Sequence, residues 1–331
     1  PSPSRINQPM TVQDATQIES QSANGDFLLS VVVPMYNEEE GAKECVKRLK
    51  TVLEGMNCRY EILFVNDGSR DRTLEILKEV RIHEPNIKIV DLSRNFGHQL
   101  AITAGIDLAG GDAVIVIDGD LQDPPELFPA LVAKWQEGFD VVHAKRRKRE
   151  GETTFKLLTA KLYYRIIREI AQVDIPVDVG DFRLMSRRAV DGLKSLREQH
   201  RYVRGMVAWL GFNQGTVEYD RSARFAGETK YSLRRMISFS WIGLTSFSVV
   251  PLRLATFCGL ISAVVGFFYA IYALIVKFYF HTAIIGWTSI VILILLLGGI
   301  QLICLGIIGE YVGKIYEEAK DRPLYLIKDV F

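Results

Sequence analysis

Two carboxylates one residue apart, Asp118 and Asp120, open the stretch Asp118-Gly119-Asp120-Leu121-Gln122-Asp123-Pro124-Pro125-Glu126. It follows Ala113-Val114-Ile115-Val116-Ile117, an apolar run rich in β-branched residues that reads as a buried strand. The acidic pair thus stands at a strand's carboxyl end, where open α/β sheets place ligands. Asp118, Asp120 and the Gln122 amide oxygen suit a hard divalent cation, Mg2+ or Mn2+, which would in turn hold a diphosphate. Asp-Gly also makes plain turns, so the surrounding stretches decide between the two readings.

Four strand-helix alternations position this loop. Strands are expected at 28–33, 60–65, 87–92 and 113–117, with helices at about 41–53, 72–82 and 100–108. Alternation of this kind predicts a mostly parallel sheet covered on both faces. Each strand ends in a polar loop: Tyr36 and Glu38, Asn66 and Asp67, Asn95 and Gln99, then Asp118, Asp120 and Gln122. Singly each is a turn or a helix cap; four on one sheet edge read as a donor pocket. No GxGxxG or GxxxxGK[ST] lies among these loops, which weakens a dinucleotide or P-loop reading.

The 331 residues carry a net charge of +1, which offers no electrostatic case for nucleic acid. Hydrophobic residues make up 48%, high for a soluble enzyme, and most of the excess lies after residue 236. Cys45, Cys58, Cys258 and Cys304 share no metal-ligand spacing and suit a reducing compartment. Residues 1–27 are polar, lack the pattern of a signal peptide and read as a disordered tail.

VVVPMYNEEE, VNDGSRDRT, NFGHQLA and DGDLQDPPE, in this order, resemble the family-two inverting glycosyltransferases, and among them the polyprenyl-phosphate glycosyltransferases. The resemblance covers roughly residues 28–315. It implies a nucleotide-sugar-binding A-type fold of the α/β class, with a Rossmann-like mostly parallel sheet. It further implies that Pro34, Tyr36, Glu38 and Asp67 contact the base and ribose, and that Asp118, Asp120 and Gln122 bind metal and diphosphate.

Further along, Asp178-Val179-Gly180-Asp181-Phe182-Arg183-Leu184 places Asp181 where the related mannose synthases carry glycine. By resemblance Arg183 binds the acceptor phosphate, a task a bidentate guanidinium suits. Asp181 is open between a catalytic base, a residue that orients Arg183, sugar or acceptor, and a helix cap before 186–193. The basic run from Lys145 to Arg149 reads as a solvated loop or a cluster facing lipid head groups. The amphipathic stretch 155–170 carries Arg165 and Arg168, further candidates for the acceptor phosphate. Tyr202 to Met206 and Trp209 to Phe212 are expected to build the pocket floor. Arg221 to Tyr231 looks like the loop that closes over the donor diphosphate, with Arg224 and Lys230 supplying charge. The Gln-x-x-Arg-Trp signature of processive synthases is absent.

The last third turns apolar. A catalytic domain over 28–229 is followed by an interfacial amphipathic helix at 230–250, and two uncharged runs near 254–276 and 284–309 are each long enough to span a bilayer. Cations flank the hairpin on the catalytic side, with Lys277 in its turn, so the catalytic half, both termini and the tail 313–331 are expected in the cytoplasm. The expectation is a multi-pass inner-membrane enzyme. Gln301, an amide in the second span, suggests helix contacts and a homo-oligomer.

Together these readings give a metal-dependent hexosyltransferase that moves a sugar from a nucleotide-sugar donor to a membrane polyprenyl phosphate with inversion. Glucose from UDP-glucose is the first choice, and GDP-mannose and UDP-aminoarabinose stay open. A hydroxyl acceptor, with Asp181 as obligatory base, is the rival enzyme; a membrane assembly partner is the non-enzymatic one.

Overall fold

The computed structural model describes residues 26–147, 179–219, 250–279 and 286–331. The chain divides into two compact units, one comprising residues up to Ser232 together with Pro323–Phe331, the other Leu233–Arg322.

The first unit is built on an eight-stranded mixed sheet. Its strands are β1 (Leu28–Met35), β2 (Arg59–Asn66), β3 (Ile87–Leu92), β4 (Ala113–Val116), β5 (Val141–Arg146), β6 (Val179–Ser186), β7 (Gln214–Tyr219) and β8 (Ile327–Val330). They lie in the order β7-β5-β6-β4-β1-β2-β3-β8. Neighbours β1 and β2, β1 and β4, β2 and β3, and β5 and β7 run parallel. The pairs β4 and β6, β5 and β6, and β3 and β8 run antiparallel. The expected parallel core is therefore present, with β6 inserted against its direction.

Helices cover both faces, as continuously apolar strands require. One face packs Val31, Val33, Ile62, Phe64, Ile115 and Leu184 against α1 (Ala42–Glu54), α2 (Thr73–Arg81) and α4 (Phe128–Gln136). In α1 the buried residues Ala42, Cys45, Val46, Leu49 and Leu53 form one helical stripe. The other face receives α3 (His98–Leu108), which approaches so closely that a Cβ on Gly105 would stand 2.2 Å from Val32 Cγ1. Two further helices follow, α5 (Arg187–Ser195) and α6 (Val203–Trp209).

Residues 179–186, read from sequence as the approach to a helix, form the fully buried strand β6. Ser186, not Asp181, caps the next helix, its Oγ accepting from Ala189 N at 3.3 Å. The expected tail 313–331 first continues a helix to Ala319 and then supplies β8. There Val330 pairs with Val90 and Asp329 with Asp91. Phe331 and Ile89 exchange backbone hydrogen bonds of 2.9 and 3.0 Å. Tyr325 Oη donates to Asp107 Oδ2 at 2.7 Å.

The second unit contains α7 (Val250–Phe278) and α8 (Trp287–Ala319), of 29 and 33 residues. They touch where Cys304 Sγ donates to the Ala255 carbonyl at 3.4 Å. Among the described residues one segment, Leu296–Ala319 with mean hydropathy 1.6, is long and apolar enough to cross a membrane. The expected tail 1–27 is described only from residue 26, and most of the interfacial stretch 230–250 lies outside the described residues.

Candidate active site

The loops after β1, β2, β3 and β4 all leave the same edge of the sheet, because those strands run parallel. Pro34 is buried where β1 parts from β4: the β1–β4 ladder ends at Val32 and Val116, so proline's missing N–H leaves no gap in it. The next loop residues clasp the β2 loop. Asn37 N donates to Ser69 Oγ at 3.0 Å, Arg70 N to Asn37 Oδ1 at 2.9 Å, and Glu38 N to Thr73 Oγ1 at 2.9 Å. Tyr36 stands 42% exposed beside them.

Asp67 is buried, and its two oxygens accept the backbone N–H groups of Phe96 at 2.7 Å and Gly97 at 2.9 Å. It therefore shapes the β3 loop. Gly68 makes this junction fit: its φ is +64°, and a Cβ there would lie 2.5 Å from the backbone of Arg94 and Asn95. Asn95 Nδ2 completes the junction by donating to Asp67 O at 3.1 Å.

The acidic loop after β4 turns through Leu121, a buried residue held at φ +58°. Left-handed leucine is uncommon, and such backbone gathers where a loop must aim its side chains. Gln122 N donates to Asp120 Oδ1 at 3.1 Å. On α1, burial, then the charges of Asp120 and Glu38, push the Cys45 thiol up to about 12. Asp123 is fully buried and accepts from Tyr219 Oη, which in turn accepts from Arg146 Nε at 3.1 Å. Arg146 is thus turned inward. Lys145 and Arg147 pair with Glu218 at 2.9 and 3.6 Å. The described part of the basic run is therefore ion-paired within the sheet. The rest of that run, Arg165, Arg168, Arg224 and Lys230 lie outside the described residues.

Asp181 is the hub. From buried β6 its carboxylate receives Arg204 Nε at 3.0 Å and Nη2 at 3.1 Å, and Arg183 Nη2 at 3.2 Å. Gln99 Nε2 adds a bond of 3.2 Å, and His98 Nε2 stands at 3.3 Å. Burial alone would raise its pKa. The charge of Arg204, the hydrogen bonds from His98 and Arg204, and the charge of Arg183 instead hold it well below the usual carboxylate range. His98 Nε2 also lies 3.4 Å from Asp118 Oδ1. Its imidazole is pushed up to about 9: burial opposes the proton, but the Asp181 hydrogen bond and the Asp118 charge outweigh it. Asp118 is pushed up to about 6 by burial and by Asp181, Asp123 and Asp120, against the pull of His98.

Asp118 Oδ1 is sealed from solvent and accepts no hydrogen bond. A carboxylate oxygen in that state, crowded by like charges, fits a divalent cation better than it fits an empty turn. Among the described residues no three His, Cys, Asp or Glu side chains converge as a cage. The oxygen donors fit Mg2+ or Mn2+ shared with substrate phosphates, since Mg2+ in particular takes few protein ligands and keeps water.

Of the residues expected at the site, Asp118, Asp181 and Arg183 are joined through one network. Arg183, assigned to the acceptor phosphate, is only 1% exposed; Nε and Nη2 donate to the Asp181 and Gly180 carbonyls at 3.2 and 3.0 Å. His98 was given no role from sequence, and Arg204 entered only within the stretch 202–206 expected as pocket floor. Their signals were faint: a histidine inside NFGHQLA, and one arginine in the otherwise apolar VRGMVAW.

A parallel sheet edge lined with polar and acidic loops is where α/β enzymes bind their ligands. Residues 30–193 match Glycosyl transferase family 2, and residues 250–315 match the GtrB C-terminal hairpin. An uncharacterized glycosyltransferase, YkcC of Bacillus subtilis, is 52% identical over 90% of this chain and 93% of its own. The prophage bactoprenol glucosyl transferase homolog of Escherichia coli is 41% identical over 91% and 99%. Glucosyl-3-phosphoglycerate synthase from Mycobacterium tuberculosis, solved with Mn2+, UDP and phosphoglyceric acid, covers 71% of this chain and 81% of that one, with 19% identity and a TM-score of 0.47. The chain belongs to glycosyl transferase family 2 and carries that family's α/β mixed-sheet fold.

Proposed function

We propose that the protein transfers glucose from UDP-glucose to the phosphate of a membrane polyprenol, with inversion at C1. Relatives named bactoprenol glucosyl transferase, 41–42% identical over 91% of the chain, support the substrate pair. The observation that carries the acceptor class is Asp181. A hydroxyl nucleophile needs a base to remove its proton, and Asp181, the carboxylate weighed for that task from the sequence, is held ionised by two guanidiniums and an imidazole. A phosphomonoester has a second pKa of about 6 and arrives already charged.

In this reading Tyr36, Glu38 and Asp67 frame the base and ribose beside buried Pro34. Asp118, Asp120 and Gln122 hold Mg2+ or Mn2+, which when bound neutralises the donor diphosphate. A phosphate oxygen attacks C1, the bond from C1 to the diphosphate oxygen breaks, and its electron pair leaves with UDP. Arg224 and Lys230 meet the charge that grows on the leaving group. Alignment of the two phosphates across C1 is the protein's main contribution. The hairpin of α7 and α8 spans the inner membrane twice, with the catalytic unit and both termini in the cytoplasm and copies associating through the helices.

Purified protein in detergent with undecaprenyl phosphate, offered UDP-glucose, GDP-mannose and UDP-aminoarabinose in turn, tests this reading. Glucosyl lipid formed from UDP-glucose and a divalent cation is the expected product. Transfer confined to a hydroxyl acceptor would overturn the acceptor class, and preference for another donor would overturn the sugar.

A further inference from the structure

We propose that Arg204, held in place by Asp181, is the side chain that receives the acceptor's phosphate, in place of Arg183. This rests on the polyprenyl-phosphate reading above.

Arg183 is shut off from any incoming phosphate. It is 1% exposed, Nε and Nη2 are consumed by two backbone carbonyls and Asp181, and Nη1 is buried without a hydrogen-bond partner. Its guanidinium braces β6. Arg204 is different: its side chain keeps 33% of its surface exposed while Nε and Nη2 grip both oxygens of Asp181 in a fork. Such a fork fixes the guanidinium plane before a ligand arrives, and a planar guanidinium is suited to phosphate oxygens.

Arg204, Arg183 and His98 all meet the Asp181 carboxylate, which gathers cationic donors around one point of the site. Gln99 braces the arrangement from a second side: its Nε2 donates to Asp181 at 3.2 Å and its Oε1 accepts Val203 N at 3.1 Å, immediately before Arg204.

Contacts run from Asp118 to His98 at 3.4 Å, from His98 to Asp181 at 3.3 Å, and from Asp181 to Arg204 at 3.0 Å. Arg204 is thus linked to the acidic donor loop through Asp181 and His98. In a single displacement the nucleophile enters opposite the leaving group, so the incoming phosphate needs a cation apart from those at the diphosphate, and Arg204 is the partly exposed guanidinium of this network. Asp181 acts through Arg204 and is a positioning residue.

The test compares wild type, Arg204→Gln and Arg204→Lys in detergent, with a short-chain polyprenyl phosphate as acceptor and UDP-glucose as donor. Arg204→Gln is expected to raise the acceptor KM by about tenfold or more, the loss of one charged contact. UDP affinity, measured by calorimetry with Mn2+, should stay within about twofold of wild type. Arg204→Lys keeps the charge but loses the fork, so it should restore part of the acceptor KM; it also carries the test if the glutamine variant melts early. An unchanged acceptor KM in both variants, or a loss of UDP affinity that matches the loss of activity, overturns the assignment. A wild type that glucosylates no polyprenyl phosphate overturns the function reading, and this assignment with it.

Discussion

Asp181 shows how environment decides between roles that residue type leaves open. A carboxylate that accepts hydrogen bonds from four side chains is stabilised in its charged form and has little tendency to take a proton. Asp181→Asn should therefore lower kcat by about 100-fold through misplaced cations, while the pH profile of kcat/KM keeps its shape. Loss of one limb of that profile would identify Asp181 as a base after all. The same substitution leaves buried positive charge uncompensated, and urea unfolding of the catalytic unit should show a loss of about 3–5 kcal/mol. The acidic side chains of the donor loop were legible in sequence because Asp-Gly-Asp follows so clear a strand. The network that holds Asp181 was not, since its members come from residues 98–99, 181–183 and 204, which only the fold brings together.

At the scale of elements, the loops are held by stitches between strands. Glu61 on β2 accepts from Ser30 Oγ on β1 at 2.5 Å, Lys88 Nζ on β3 at 2.7 Å, and Gly110 N at 2.8 Å. Burial pushes its carboxyl up, but Lys88, Ser30 and Gly110 together bring it below its ordinary value of 4.5. A depressed acid stabilises the fold above its unfolded pKa and loses that contribution as pH falls through the folded one. Glu61→Gln should cost about 2 kcal/mol at pH 7, and the gap from wild type should shrink as denaturation is followed below pH 4.5. Gly68→Ala has a different origin. The left-handed backbone adds at least about 1 kcal/mol, and the new methyl must displace the Arg94–Asn95 backbone. A lower melting temperature and weaker UDP binding are both expected, because the displaced loop carries the site. Strands β1 to β4 were readable as β-branched runs. In β6, β7 and β8 the sequences VGDFRLMS, QGTVEY and IKDV mix charge, glycine and apolar residues. Their strand character comes from the sheet beside them, so tertiary context outweighs propensity.

For the whole molecule, the apolar last third was plain from composition, while the return of the chain into the sheet was not. Strand β8 covers the β3 edge, and its four residues are all exposed. Deleting Pro323–Phe331 would bare the β3 edge, so size-exclusion chromatography in detergent should show concentration-dependent association of the truncated protein. A variant that stays as dispersed as wild type would remove β8 from this role.

That returning strand also imposes an order on biogenesis. Everything the sheet needs, save β8, leaves the ribosome before α7 and α8; the last strand is synthesised only after both helices. The β3 edge therefore stays open throughout translation of α7 and α8, and β8 joins the sheet only once both helices have been made. The sheet is in this way closed only by residues made after α8, so that a chain stalled within α8 would carry the other seven strands with the β3 edge unsealed.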